Sequence, residues 1–339
     1  MTAEPYSAKI MAEIGLSHEG SVGIAQKFIE NAKLSGANFV KFQMHLPEYE
    51  SSSQEPFRVG FSVQDKSRWD YWQRTSFSQE DWRFLIKFCR DTEIEFCSSI
   101  FSTPALNFML NEDVKYIKLG SGDFCNEELA EKLVGWDGQL ILSTGMATYK
   151  EILDSVERFQ VFLKSDRLTL LQCTSSYPTP LDKVGLNNMH KFASDFGCKV
   201  GLSDHSEGIN AALVAIVQGA SLIEKHVTFS RRLFGPDIKA SITFEELSTL
   251  TKFRDDYDLI KTPVDKDILS DELTYERKIF GRSLGLNRTL EAGELVGWED
   301  FCLRKPAGGL LWTDRAHLVG KRAKRTIHPI QLINHDDFE

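Results

Sequence analysis

The sequence predicts a parallel (β/α)₈ TIM barrel followed by a small β-rich domain, and three observations carry that expectation. Eight short apolar runs rich in β-branched residues alternate with helical patterns over about 250 residues, the arithmetic of a TIM barrel. Each run finishes in polar residues, where a purely structural strand would stay apolar. Past residue 260 the pattern changes to short strands and frequent turns.

The strand candidates are 9–16, 38–44, 94–100, 116–120, 139–143, 168–174, 199–203 and 221–227. Between them, Ser78 with Asp81 and Thr148 with Glu151 form capping-box patterns, and Thr103 with Pro104 fits N-cap and N1. Ile209, Leu213, Ile216 and Val217 repeat at the spacing of one helical face. A doubly wound open sheet is the alternative, but Gly15-Leu-Ser-His18 is a poor match to its Gly-rich phosphate loop. The connection 45–77 is unusually long and carries Arg58, Arg68, Trp69, Trp72 and Arg74, as a lid, a substrate wall or a surface excursion would. The expected division is a barrel over 1–260, a charged linker over 261–277 containing Pro263, and a small domain over 278–339. At about sixty residues that domain is near the lower limit for an independent core.

A net charge of −9 argues against nucleic acid or an anionic membrane as main partner. The first nine residues include Glu4 and Pro5 and do not read as a signal peptide, and the longest apolar run, 211–217, is too short to span a bilayer. Six scattered cysteines without a C-x-x-C fit reduced thiols, so a cytoplasmic protein is expected.

The strand ends carry the chemistry. The first reaches Glu13; the second ends Lys41-Phe-Gln43-Met-His45; the third ends in Ser98 and Ser99. Lys118 precedes Gly120-Ser-Gly-Asp123, and the fifth ends at Ser143. The sixth carries Gln172, Thr174, Ser175 and Tyr177, the seventh ends Ser203-Asp-His205, and the eighth Glu224-Lys-His226. In a TIM barrel these ends meet at one mouth, where active sites lie. His205 and His226 end adjacent strands, and two imidazoles with open positions suit a catalytic divalent ion. No cysteine stands beside them in the sequence, which favours Mn²⁺ or Mg²⁺, with Co²⁺ as a further candidate, over a thiolate zinc site. His18 and His45 either contact substrate or brace the mouth. Lys41, Lys118 and the strand-end serines form a ring of donors for a small anion, unless the serines only cap the next helices.

Taken together, Ala12 to Gly20, Val40-Lys-Phe-Gln43, Lys118 to Asp123, Leu142-Ser-Thr-Gly-Met146, Gln172 to Pro178, Gly201-Leu-Ser-Asp-His205, Glu224-Lys-His226 and Gly235-Pro-Asp237 resemble the sialic acid synthase family. The resemblance covers nearly the whole chain, and the C-terminal part is similar to that family's antifreeze-like (SAF) domain. It implies a domain-swapped homodimer in which each small domain covers the partner's barrel mouth. It also implies that His205 and His226 hold the metal. Lys41, Gln43, Ser99, Lys118, Ser121, Ser143, Ser175 and Ser203 fall where the family binds phosphoenolpyruvate. Glu13, Asp123, Tyr177 and Asp237 fall where it contacts the metal's water and the amino-sugar aldehyde. Asp123 stands where bacterial members often carry Glu. Lys305 stands where many carry an arginine that reaches the partner's sugar, which leaves Arg304 as the other candidate. The implied reaction condenses phosphoenolpyruvate with an N-acylmannosamine-type aldehyde and releases phosphate by C–O cleavage, with Glu13 handling the proton on water.

Two rivals remain at this stage: an aldolase with Lys41 or Lys118 as Schiff base, and a sugar- or anion-binding protein without catalysis. N-acetylmannosamine, its 6-phosphate and a diacetamido-trideoxy sugar are all open. Arg58, Arg68, Arg74 and Arg231 are candidates for a second phosphate or plain surface charge.

Overall fold

A computed structural model describes residues 8–268 and 270–339. The strands are β1 (Lys9–Gly15), β2 (Phe39–Met44), β3 (Glu95–Ile100), β4 (Tyr116–Leu119), β5 (Gln139–Ser143), β6 (Leu168–Cys173), β7 (Lys199–Asp204) and β8 (Leu222–His226). They form one closed barrel in chain order, and parallel pairing of β1 with β8 completes it, Glu13 opposite His226. Outward residues such as Ile10, Val40, Ile117, Leu140 and Leu170 are buried with the surrounding helices in one core.

Because side chains alternate across a strand, the barrel interior is built in layers. The foot holds Met11, Phe39, Cys97, Ile141, Leu171 and Leu222, with Tyr116 against them. Two residues further along the same strands stand Glu13, Lys41, Ser99, Lys118, Ser143, Cys173 and Glu224, with Ser203 after Gly201. Gly201 has a packing reason: a Cβ there would lie 2.1 Å from Leu222 O.

Local signals hold with three corrections. Ser78 and Thr148 cap the helices Gln79–Asp91 and Tyr149–Arg158 with complete capping boxes. Ser102 and not Thr103 is the N-cap of Thr103–Asn111, placing Thr103 and Pro104 one position further into the helix. In the helix Asn210–Val217 the buried face is Ala211, Ala212, Ala215 and Ile216, while Val217 is exposed; small alanines admit close approach to the barrel strands. Gln172 points outward and donates to Val184 O at 3.0 Å, because Leu171 and Cys173 take the inward positions of β6. The connection 45–77 contains two helices, Pro47–Glu50 and Arg68–Thr75.

The chain divides into two compact units after Thr262. In the second, the helix Asp271–Phe280 occupies much of the segment read as a linker and buries none of its residues. Regular β structure here is sparse: β9 (Ser283–Leu286) and β10 (Phe301–Arg304) pair antiparallel, with isolated bridges elsewhere. Leu284, Leu286, Leu290, Phe301, Leu318, Ile327 and Phe338 belong to its own core. No helix among the described residues is long and apolar enough to cross a membrane.

Candidate functional site

The carboxyl ends of the strands open into a cavity of about 330 Å³. Its floor is the polar layer, and its side wall includes Phe57, Arg58, Phe61, Arg68, Tyr71 and Trp72 from the 45–77 connection. The long connection is therefore a wall of the cavity.

Four buried charges organise the floor. Lys41 Nζ lies 2.7 Å from Glu13 Oε2 and donates to Ser99 Oγ at 2.8 Å. Lys118 Nζ reaches both oxygens of Glu224, at 2.5 and 2.7 Å, and Ser203 Oγ donates to Glu224 Oε1 at 2.9 Å. Glu224 Oε2 is also 3.9 Å from Lys41 Nζ, joining the two pairs. Burial favours the neutral form of Lys41, but Glu13 and Glu224 outweigh it and hold the ammonium above its ordinary pKa. Burial likewise opposes ionised Glu224, yet Lys118 and Lys41 prevail and keep it well below the usual carboxylate range. Glu224 was visible at a strand end but absent from the candidate set; its alternation with His226 was the available signal.

Ser99, Ser121, Ser143, Ser175 and Ser203 are not helix caps; they line the cavity. Ser121 Oγ accepts from Gly145 N at 3.0 Å, and Ser143 Oγ is buried without a hydrogen-bond partner among the described residues. Ser175 also lines the cavity. Gly145 is obligatory at this point, since a Cβ would lie 2.4 Å from Ser175 Oγ and 2.7 Å from both Ser121 Oγ and Cys173 Sγ.

His205 and His226 meet at the same mouth with ring centroids 5.6 Å apart. His205 Nδ1 lies 3.1 Å from Thr174 O, a partner that can only accept, so this nitrogen carries the hydrogen and Nε2 is left bare. Burial first, then His226, pushes the His205 pKa well below its ordinary value, keeping the ring neutral. Among the described residues no set of three or more His, Cys, Asp or Glu forms a metal cage. The donors that fit a divalent ion are the two imidazoles, leaving other positions to water and substrate. One expectation is corrected here: Cys173 Sγ does stand beside His205, 3.7 Å from Nδ1. It contacts the protonated nitrogen, and burial raises its thiol pKa, so it does not offer a thiolate.

On the rim, the Tyr177 ring lies 4.0 Å from that of His205 and under the Arg58 guanidinium at 3.9 Å. Arg58 pairs with Asp237 at 2.5 Å. Asp123 lines the cavity, its pKa raised chiefly by burial. Arg68 faces Glu55, Arg74 faces Asp65 and Glu19, and Arg231 faces Glu246. His18 stacks on Phe77 at 4.3 Å and accepts from Gly20 N, so it braces the fold behind the mouth. His45 lines the cavity. Arg304 and Lys305 lie in the second unit, where Arg304 Nε donates to Leu286 O and Lys305 Nζ stands 5.0 Å from the Phe280 ring.

Comparison with known proteins follows the same lines. The NeuB family pattern matches residues 28–260. N,N'-diacetyllegionaminic acid synthase of Legionella pneumophila is 31% identical over 92% of this chain and 89% of its own. Pseudaminic acid synthase of Helicobacter pylori is 28% identical over 98% of both chains. The crystal structure of an N-acetylneuraminic acid (sialic acid) synthetase from Leptospira borgpetersenii, in complex with citrate, superposes with a TM-score of 0.67 at 29% identity, covering 80% of this chain and 90% of that one.

Proposed function

The chain belongs to the NeuB family, and from that premise we propose that it condenses phosphoenolpyruvate with an N-acylmannosamine-type aldehyde to give a nonulosonate and phosphate. The observation that carries this reading is the mouth floor, where two ammonium groups and a ring of hydroxyls surround one small cavity beside two imidazoles. Lys41, Lys118, Gln43, Ser99, Ser121, Ser143, Ser175 and Ser203 hold the carboxylate and phosphate of the enol substrate. The enol carbon forms a bond to the aldehyde carbon, water adds to the pyruvyl carbon, and the C–O bond to phosphate breaks. Glu13, buried against Lys41 and Gln43, takes the proton from that water. Asp123, Tyr177 and Asp237 orient the sugar.

A divalent ion, Mn²⁺ first among the candidates, would sit on His205 and His226 and supply Lewis-acid polarisation of the aldehyde. Charge supports it: Glu13 and Glu224 already balance the two lysines, so a polyanionic substrate needs further positive charge. The aldolase alternative is disfavoured at Lys41, which is held as an ammonium, the form that cannot attack a carbonyl. The candidate rim arginines each face a carboxylate, which supports a sugar without a phosphate of its own.

The experiment is phosphate release from phosphoenolpyruvate with a panel of amino sugars in ¹⁸O water. Solvent oxygen is expected in the sugar acid and not in the phosphate; label in the phosphate overturns the C–O cleavage. Chelator should abolish release and Mn²⁺ restore it, with His205→Ala refractory to rescue.

We also propose that the second unit is the antifreeze-like domain, with Arg304 and Lys305 serving the partner's mouth in a homodimer. The second unit's own small apolar core supports a separate domain. Mixing inactive His205→Ala with inactive Arg304→Ala/Lys305→Ala should then recover about a quarter of wild-type activity, by twofold symmetry.

A further inference from the structure

His45 follows β2 on the face that carries Lys41 and Gln43. Its imidazole is clasped between Trp72 and Phe101, with centroids 4.0 and 4.2 Å away and interplanar angles of 20° and 8°. Nδ1 contacts Glu50 Oε1, and Glu50 Oε2 accepts from Leu46 N at 3.2 Å. Both side chains are 6% exposed. Nε2 stands 3.3 Å from Gln43 Oε1, while Gln43 Nε2 donates to Glu13 Oε1 at 2.7 Å.

Counting donors along this chain fixes the protons. Glu13, paired with the Lys41 ammonium, only accepts, so Gln43 must turn its NH₂ toward Glu13 and its oxygen toward His45. That oxygen has no hydrogen to give, so His45 Nε2 carries one. A neutral ring would then face the Glu50 carboxylate with a bare Nδ1, acceptor against acceptor. The contact needs a second proton, and two aromatic faces with a buried carboxylate favour placing it on the ring. Asp123 and His18 are coupled electrostatically to His45, Arg68 lies over the Trp72 ring, and Glu13 stands beyond Gln43.

We propose that His45 is an imidazolium held by Glu50, Trp72 and Phe101, and that its Nε2–H locks Gln43 with the amide NH₂ on Glu13 at the cavity floor. Glu13 alone holds the amide by one hydrogen bond; the second, from His45 to the amide oxygen, fixes the plane of the amide and so the direction of its remaining N–H. His45 is thus a positioning residue for the anion site, an inference that rests on the synthase reading only for its kinetic consequence.

Two experiments test it. In protein labelled with ¹⁵N-histidine, both His45 nitrogens should show attached protons at neutral pH, the signals being assigned by their loss in His45→Gln. A ring with one bare nitrogen overturns the proposal. In steady-state assays, His45→Leu should raise the KM for phosphoenolpyruvate about tenfold, the scale of one lost charge-assisted hydrogen bond. His45→Gln keeps an N–H for Gln43 and should restore most of that loss, with kcat little changed in both. Equal KM values for the two variants overturn the positioning role. Wild-type protein that releases no phosphate sinks the synthase reading, and the nitrogen spectrum still decides the imidazolium.

Discussion

At the foot of the barrel the inward side chains are Met11, Phe39, Ile141, Leu171 and Leu222; two residues later on the same strands they are Glu13, Lys41, Ser143, Cys173 and Glu224. Both layers share one backbone, one strand register and nearly complete burial. The foot is held by apolar contact, which tolerates small changes of shape. The mouth is held by mutual compensation: each ammonium has a carboxylate, and Glu224 binds both lysines and Ser203. The apolar layer beneath offers the charges no polar partner, so they must compensate one another. Burial alone thus tells little about a position; what matters is whether removing a group leaves a neighbour unpaired.

The largest test of that contrast is Glu224→Gln. It leaves Lys118 without a counter-charge, and breaking a buried pair costs about 3 kcal/mol or more. The low end is expected, because Lys41 keeps Glu13 and the amide oxygen still accepts from Ser203. Urea unfolding should show the loss, and phosphate release should fall with it; an undiminished stability would mean the mouth is not self-compensating.

A smaller effect separates structural from functional polarity near the mouth. Burial and the charge of His45 push the His18 pKa down to about 3. The unfolded imidazole takes a proton below about 6.5, so between these values the unfolded state binds more protons and stability falls as pH falls. His18→Phe should lose about 2 kcal/mol less than wild type between pH 7 and pH 5. Parallel stability profiles would show that His18 is not a buried neutral ring.

The smallest is Ile141→Val at the foot. One methyl lost from a packed layer costs about 1 kcal/mol, and kcat/KM should not move. A tenfold fall in kcat/KM would show that the foot shapes the mouth directly.

Much of this was legible in the chain. Short apolar runs placed all eight strands to within a residue or so, because a strand buried on both faces reads as a near-continuous apolar stretch. Capping boxes at Ser78 and Thr148 fixed helix starts, being contacts over three residues. Val217 was misplaced because helical spacing tells that a face exists, and not which of two apolar faces the barrel will cover. Strand ends exposed Lys41, Lys118, His205 and His226, since polar residues at buried positions are rare enough to stand out.

What only the tertiary structure decided is who faces whom. Lys118 and Glu224 are 106 positions apart, and no local pattern pairs them. Cys173 reaches His205 because β6 and β7 are neighbours in the closed barrel. The His45 ring is clasped by Trp72 and Phe101 from two different connections. The sequence by itself determined a polar-mouthed barrel, because hydrophobic period and strand-end chemistry are local properties. Which carboxylate balances which ammonium, and how each amide must turn, was decided by barrel closure, which brings distant strand ends within hydrogen-bonding distance where no water can substitute for a missing partner.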